Sequence, residues 1–193
     1  MDLFSPEYWE HLYRERQTAW DIGRPSTPLA EYIDNIENKD ASILIPGCGN
    51  SYEAEYMVEK GFTNLTVIDI AASPVKRLQE KIGDQATVIQ IDFFNHKGQY
   101  DYILEQTFFC ALNPVLRPTY VQKMSELLSD NGKLAGVLFN RQFETNPPFG
   151  GSRDEYEELF SKHLQLFKME DCYNSIAPRA GTELFFIATK KHP

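Results

Sequence analysis

Apolar residues fall in seven short runs bounded by turn formers: Ser42–Pro46, Leu65–Ile70, Thr87–Ile91, Tyr102–Leu104, Lys133–Phe139, Leu164–Met169 and Leu184–Thr189. Each has the length and setting of a strand. Between the earlier runs, Tyr52–Lys60, Pro74–Ile82 and Arg117–Leu128 read as helices, the alternation that βαβ crossovers and a parallel sheet require. After Phe139 the rhythm changes. A loop rich in Asn, Pro and Gly, Asn146–Ser152, precedes one more helix, and the last two runs then follow each other without a helix between them. That ending predicts an antiparallel pair. Ahead of the first run lie an aromatic, amphipathic segment, Pro6–Arg16, the stretch Trp20-Asp21-Ile22-Gly23-Arg24-Pro25, and a further helix near Leu29–Ile36. No internal repeat or low-complexity linker interrupts the chain.

Composition narrows this picture. At 193 residues and 42% hydrophobic content the chain can bury one sizeable core, and two of ordinary size would be a squeeze, so one α/β domain over residues 1–193 is expected. A formal charge of -9 with no basic run lacks the footprint of a nucleic-acid binder and favours a small-molecule partner. Oligomeric state is expected to be monomer or weak homodimer. Cys48, Cys110 and Cys172 are widely spaced with no CxxC pair, and the four histidines are scattered, so neither a disulfide framework nor a metal site is expected. A reducing cytoplasm fits that usage. The start, Met1-Asp2-Leu3-Phe4-Ser5-Pro6-Glu7, has no basic end followed by an apolar stretch, and no later run approaches a membrane span. A soluble, unprocessed chain without a membrane partner is the expectation.

Three strand ends carry the candidate chemistry. Ile43-Leu44-Ile45-Pro46-Gly47-Cys48-Gly49-Asn50 reads as a buried strand entering a glycine turn that opens a helix, a geometry in which a ligand can approach bare backbone. Its plainer reading is a tight packing turn. A dinucleotide fingerprint needs a third glycine where this chain has Tyr52, so a cofactor without a diphosphate is preferred. Roughly twenty residues further, Asp69 ends the second strand, placed to accept hydrogen bonds from ribose hydroxyls; the alternative is a helix cap, for which Ser73-Pro74 is the better signal. Asp92 and Phe93 end the third strand, where a carboxylate could accept from an adenine amino group and a ring could cover the base. Glycine turn, ribose acid and adenine acid in succession fit the nucleoside of S-adenosylmethionine.

With those residues in place the chain resembles the class I methyltransferases, and within them the thiopurine methyltransferase family, which includes plant thiol and halide methyltransferases. The likeness runs from Trp9 and Trp20-Asp21-Ile22-Gly23-Arg24 through Pro46-Gly47-Cys48-Gly49 and Thr107-Phe108-Phe109-Cys110-Ala111-Leu112-Asn113-Pro114 to Pro147-Pro148-Phe149 and Ile176-Ala177-Pro178-Arg179-Ala180-Gly181. It implies a Rossmann-like, seven-stranded, mostly parallel sheet in the order 3-2-1-4-5-7-6, one strand antiparallel, with helices on both faces. Residues 1–38 would form an N-terminal helical lid over a core at 39–193. The resemblance also implies a cofactor shell of Trp9, Tyr13, Trp20, Gly47, Gly49, Asp69, Asp92, Phe93 and Gln106, and acceptor contacts from Trp20, Phe109, Arg117 and Arg179. The family often has tryptophan where this chain has Tyr13. The pattern around Trp20 and Glu105-Gln106 is closer to the thiol and halide branch than to the thiopurine enzymes.

The implied activity is methyl transfer from S-adenosylmethionine, leaving S-adenosylhomocysteine, to a small soft nucleophile: a thiol, a thiopurine or a halide. Such transfer is an in-line displacement that demands alignment and exclusion of water. Thiolates and halides arrive nucleophilic, which agrees with the lack of a Ser-His-Asp or Cys-His set or an obvious general base. Trp9, Tyr13 and Trp20 could favour the cationic donor through their ring faces, although Trp9 and Tyr13, four apart on one helix face, would equally suit plain packing. Arg117 and Arg179 would steer an anion or pair with acidic neighbours. Cys110 reads as a small buried hydrophobe. Asn146-Pro147-Pro148-Phe149 imitates the tetrapeptide of amino-methyltransferases, but it follows the fifth strand rather than the fourth. Two other readings stand beside this one: a nicotinamide-dependent oxidoreductase on a similar sheet, and a non-catalytic S-adenosylmethionine-binding protein. Tyr120 and Lys123 have the wrong spacing for a short-chain reductase, and Tyr56 and Lys60 have the right spacing in the wrong helix.

Overall fold

A computed structural model describes residues 3–191; the first two and last two residues of the 1–193 bounds lie outside the described residues. Helix α1 (Pro6–Arg14) opens on Ser5, whose hydroxyl accepts the Tyr8 N–H, with Pro6 in the first turn where a missing N–H costs nothing. Helix α2 (Thr27–Asp34) has the same proline signature at Pro28. There follow β1 (Ile43–Pro46), α3 (Tyr52–Glu59), β2 (Leu65–Asp69), α4 (Ala72–Ile82), β3 (Thr87–Gln90), β4 (Tyr100–Gln106), α5 (Arg117–Leu127), β5 (Leu128–Phe139), α6 (Arg153–Phe160), β6 (Leu164–Asp171) and β7 (Glu183–Lys190). Helix α6 begins at the loop's end with a capping box between Ser152 and Glu155.

The strands form one sheet in the order β3-β2-β1-β4-β5-β7-β6, as the resemblance implied. Pairs β1/β2, β1/β4, β2/β3 and β4/β5 are parallel, and β7 runs antiparallel to both β5 and β6. Alternation sorts the side chains into two cores. Leu44 and Ile68 point to the face covered by α5 and α6, with Tyr120, Met124, Phe160 and Phe186. Ile43, Ile45 and Val67 point to the other, with Ile33, Met57 and Leu78 of α2, α3 and α4. Helices on both faces explain why the central runs are apolar throughout. Edge strand β6 bulges between Leu166 and Lys168, which leaves the Phe167 ring 81% exposed.

Most boundaries shift by a residue or two from the sequence expectation, and those of β4, β5 and α4 have a physical cause. Strand β4 spans Tyr100–Gln106, and β5 begins at Leu128, not Lys133, because Leu128 pairs with Tyr100 across a register shift. Leu128 therefore ends α5 in extended backbone instead of belonging to it. Helix α4 begins at Ala72, not Pro74, because the acceptor that satisfies its first turn comes from α1: Glu10 takes the Ser73 N–H at 2.9 Å.

Candidate functional site

The carboxyl ends of β1 to β5 meet where the sheet order reverses between β1 and β4, the crevice in which doubly wound folds bind ligands. Beyond β1, Gly47 (φ 58°) and Gly49 (φ 52°) take left-handed backbone, which glycine enters without strain. Packing demands glycine there as well. A Cβ on Gly47 would stand 2.2 Å from Cδ2 of Phe108, and one on Gly49 3.0 Å from the Tyr13 hydroxyl. The two sequence readings of this turn therefore coincide: it is bare backbone, and this chain's own aromatics close against it. The side chain of Tyr52 occupies the position where a diphosphate fingerprint would have its third glycine, and its hydroxyl donates to Asp21 Oδ2 at 3.2 Å.

At the end of β2, Asp69 is buried and accepts two backbone N–H groups, from Gly49 at 2.9 Å and Ala71 at 2.8 Å. Burial pushes its carboxyl up, against the opposing pull of those N–H groups. Asp69 ties the glycine turn to the approach of α4; it does not cap that helix. Beyond β3, Asp92 caps a short 3-10 turn by accepting the Phe94 N–H at 2.9 Å, and Phe93 packs edge-on to Phe108 at 5.1 Å. Strand β4 ends at Gln106, whose Oε1 is buried with no partner in the chain. The next residue, Thr107, has φ 56°, and the turn is held by Glu105 Oε1, which accepts the N–H groups of Phe108 at 2.8 Å and Phe109 at 2.6 Å. Burial raises the Glu105 carboxyl to about 7 despite those donors. From the N-terminal segment, Trp20 lies edge-to-face on Trp9 at 5.8 Å and on Tyr13 at 5.7 Å.

All nine expected cofactor residues line one cavity of about 750 Å³, within the ~300–1,000 Å³ usual for small-molecule sites. The acceptor expectations divide. Arg179 lines the cavity, 12% exposed, donating to the Trp20 carbonyl at 3.0 Å and to Glu183 at 3.4 Å, with its guanidinium 5.5 Å from the centre of the Phe139 ring. Phe109 and Arg117 lie outside its lining. The left-handed Thr107 breaks the strand alternation, so Phe108 turns to the cavity and Phe109, 1% exposed, enters the core against Tyr120. Arg117 lies over that buried ring at 4.6 Å and donates to the Gly150 carbonyl at 2.8 Å; it fastens the β5–α6 loop to α5 and does not line the cavity.

Sequence reasoning missed one wall. Phe139 and Phe143 stack edge-to-face at 4.9 Å, and Arg141 lies over Phe143 at 4.8 Å; all three line the cavity, as does Arg24. Among the described residues neither Arg141 nor Arg24 forms an ion pair. The rule that strand ends hold the site, applied to β5 as it was to β1 to β3, would have found the pair of rings. Asn146, Pro147 and Pro148 also line the cavity, from the β5 side, while the turn after β4 is Gln106-Thr107-Phe108. Cys110 lines the cavity but is buried, and burial pushes its thiol up, as expected of a small hydrophobe. Among the described residues no histidine lines the cavity, and no cluster of His, Cys, Asp and Glu could hold a metal ion. Among the described residues no helix is long and apolar enough to cross a membrane.

The donor set fits S-adenosylmethionine. An uncompensated buried acceptor, Gln106 Oε1, calls for an N–H from a ligand, and the carboxylates of Asp69 and Asp92 can take hydroxyl and amino hydrogens. A solved methyltransferase from Burkholderia thailandensis, the 1,6-didemethyltoxoflavin-N1-methyltransferase with bound S-adenosylhomocysteine, superimposes with a TM-score of 0.77 at 17% identity, covering 97% of this chain and 87% of that one. The fold is that of the class I S-adenosylmethionine-dependent methyltransferases. Within that class the chain belongs to the thiopurine S-methyltransferase family, whose model matches residues 4–189. It is 28% identical to the probable thiol methyltransferase 2 of Arabidopsis thaliana and 27% identical to thiocyanate methyltransferase 1 of Brassica oleracea, each time over 91% of this chain and 81% of the relative.

Proposed function

We propose that the acceptor is a small soft anion, a thiolate, thiocyanate or halide, that enters between the arginine wall and the aromatic N-terminal segment. What supports this most is the chemistry of the lining: arginines (Arg24, Arg141, Arg179), the rings at the β5 side and, among the described residues, no histidine to take a proton. An acceptor in such a site must arrive nucleophilic, and arginine favours one that is already charged. The relatives named for thiol and thiocyanate methylation point the same way.

When bound, S-adenosylmethionine supplies an electrophilic methyl group on sulfur for in-line transfer. Trp9, Tyr13 and Trp20 line the cavity, where their rings would favour a cation by about 0.5–2 kcal/mol and exclude water. Asp69, Asp92 and Phe93 would hold the nucleoside, Gly47 and Gly49 leave room for Phe108 and Tyr13 to close on the turn, and Gln106 would accept from an amino group. Arg179, fixed by Glu183, positions Trp20 and draws the acceptor's negative charge. In this reading residues 1–38 are the lid, the chain works as a monomer or weak homodimer, and its compartment is the cytoplasm, where its thiols stay reduced. An acceptor screen tests it. Transfer to hydrosulfide, thiocyanate or iodide, with neutral amines untouched, is expected; turnover of amines or alcohols with no anion methylated would overturn it.

A further inference from the structure

Besides the Arg179 bond to the Trp20 carbonyl, two carboxylates fasten the N-terminal segment to the core. Glu10, in the middle of α1, accepts the Ser73 backbone N–H at 2.9 Å and also the Ser73 hydroxyl. Ser73 is in the first turn of α4, whose own N-cap position is Ala71 and offers no side-chain oxygen. Glu10 therefore caps α4 from 63 residues away, where exposed N–H groups and the helix dipole both favour a carboxylate. The second fastening follows Trp20 directly. Asp21 accepts from the Asn50 amide and, at 3.2 Å, from the Tyr52 hydroxyl that opens α3. Asn50 in turn accepts from Arg77 of α4 at 2.7 Å, and the Arg77 guanidinium lies 5.5 Å from the centre of the Tyr13 ring. Both carboxylates end on the helices that leave the glycine turn and Asp69.

We infer that Glu10 and Asp21 are positioning residues that latch the aromatic segment over the cofactor and set how long the cofactor and its demethylated product stay bound. The inference rests on the proposed role of Trp9, Tyr13 and Trp20 in the cofactor shell. Polar fastening suits a lid that must open every turnover, because Ser73, Asn50 and the two carboxylates exchange each other for water at small net cost. Apolar fastening would not release so readily.

The only two tryptophans of the chain, Trp9 and Trp20, lie in this segment, so emission excited selectively at tryptophan, clear of the ten tyrosines, reports on it. Stopped-flow displacement of S-adenosylhomocysteine is followed by that signal in wild type, Glu10→Ala, Ser73→Ala, the double variant and Glu10→Gln. Glu10→Ala is expected to release product about tenfold faster, the worth of one charge-assisted pair. Ser73→Ala should show a smaller gain, the double variant no more than Glu10→Ala, and Glu10→Gln partial recovery through its remaining acceptor oxygen. Wild-type release from a folded, fluorescence-responsive Glu10→Ala chain overturns the latch alone. If wild type binds S-adenosylhomocysteine by calorimetry with no change in tryptophan emission, the lid reading fails and takes the latch with it. Should Glu10→Ala not fold, Asp21→Asn carries the same test at the second fastening.

Discussion

Replacing Glu105 by glutamine should stabilise the protein at pH 8 and do nothing at pH 4.5. The carboxyl is fully buried; one oxygen serves the Phe108 and Phe109 N–H groups, while Oε2 has no partner. Burial raises its pKa from 4.5 to about 7. The native state therefore holds a proton between those values that the unfolded chain has already lost, so the stability this group contributes is complete below pH 4.5 and disappears as pH rises through 7. At about 1.4 kcal/mol per unit the loss is about 3 kcal/mol. An amide keeps the accepting oxygen, carries no charge and turns N–H groups toward the Oε2 position, close to the buried and likewise unpartnered Tyr120 hydroxyl that the carboxyl influences. Imperfect pairing of those hydrogens reduces the gain to roughly 1–3 kcal/mol, or roughly 2–10 °C in melting temperature at this chain length. Glu53 and Asp69, also raised by burial, titrate in both proteins and cancel in the difference. Thermal melts by circular dichroism at pH 4.5, 6 and 8 provide the comparison. A wild-type-minus-variant difference that ignores pH, or a Glu105→Gln protein as unstable at pH 8 as Glu105→Leu, would refute the reasoning.

Other perturbations follow from the same geometry. Gly47→Ala would force a left-handed alanine against Phe108, and a loss of more than about 2 kcal/mol in chemical denaturation is expected, together with loss of cofactor binding; a wild-type midpoint would contradict it. Trp9→Ala should weaken S-adenosylmethionine binding at least tenfold by titration while shifting the melting temperature little, because the half-buried ring packs mainly on Trp20 and other rings of its own segment; an equal loss of fold would assign it to packing. Arg179→Ala should raise the Michaelis constants of both cofactor and anionic acceptor, since the guanidinium holds the Trp20 carbonyl, whereas Arg141→Ala should raise that of the acceptor only. Steady-state kinetics with thiocyanate separates the two, and identical effects would undo the distinction.

The antiparallel ending and the convergence of Gly47, Asp69 and Asp92 were legible from local pattern, namely apolar runs, a glycine turn and an acid at a strand end, whereas the strand order and Gln106 came from the family resemblance. What was not legible depended on single backbone angles and on distant partners. The left-handed Thr107 exchanges the roles of Phe108 and Phe109, and nothing in Gln106-Thr107-Phe108-Phe109 marks which ring turns outward. The start of α4 at Ala72 depends on Glu10, far away in sequence, so the local Ser73-Pro74 signal misplaced it. Arg117 and Arg179 read alike as cations near the site; only the packing separates one that pins a loop from one that holds Trp20. The Phe139-Phe143-Arg141 wall lay within reach of the strand-end rule, at a strand whose loop was read for its prolines instead.

Calorimetric titration of the protein with S-adenosylmethionine, and in parallel with nicotinamide dinucleotides, bears most directly on the identity of the site. Selective binding of the sulfonium cofactor, abolished together with methylation of thiocyanate or hydrosulfide by Asp69→Ala, is the predicted result. Binding of a nicotinamide dinucleotide with none of S-adenosylmethionine would contradict it.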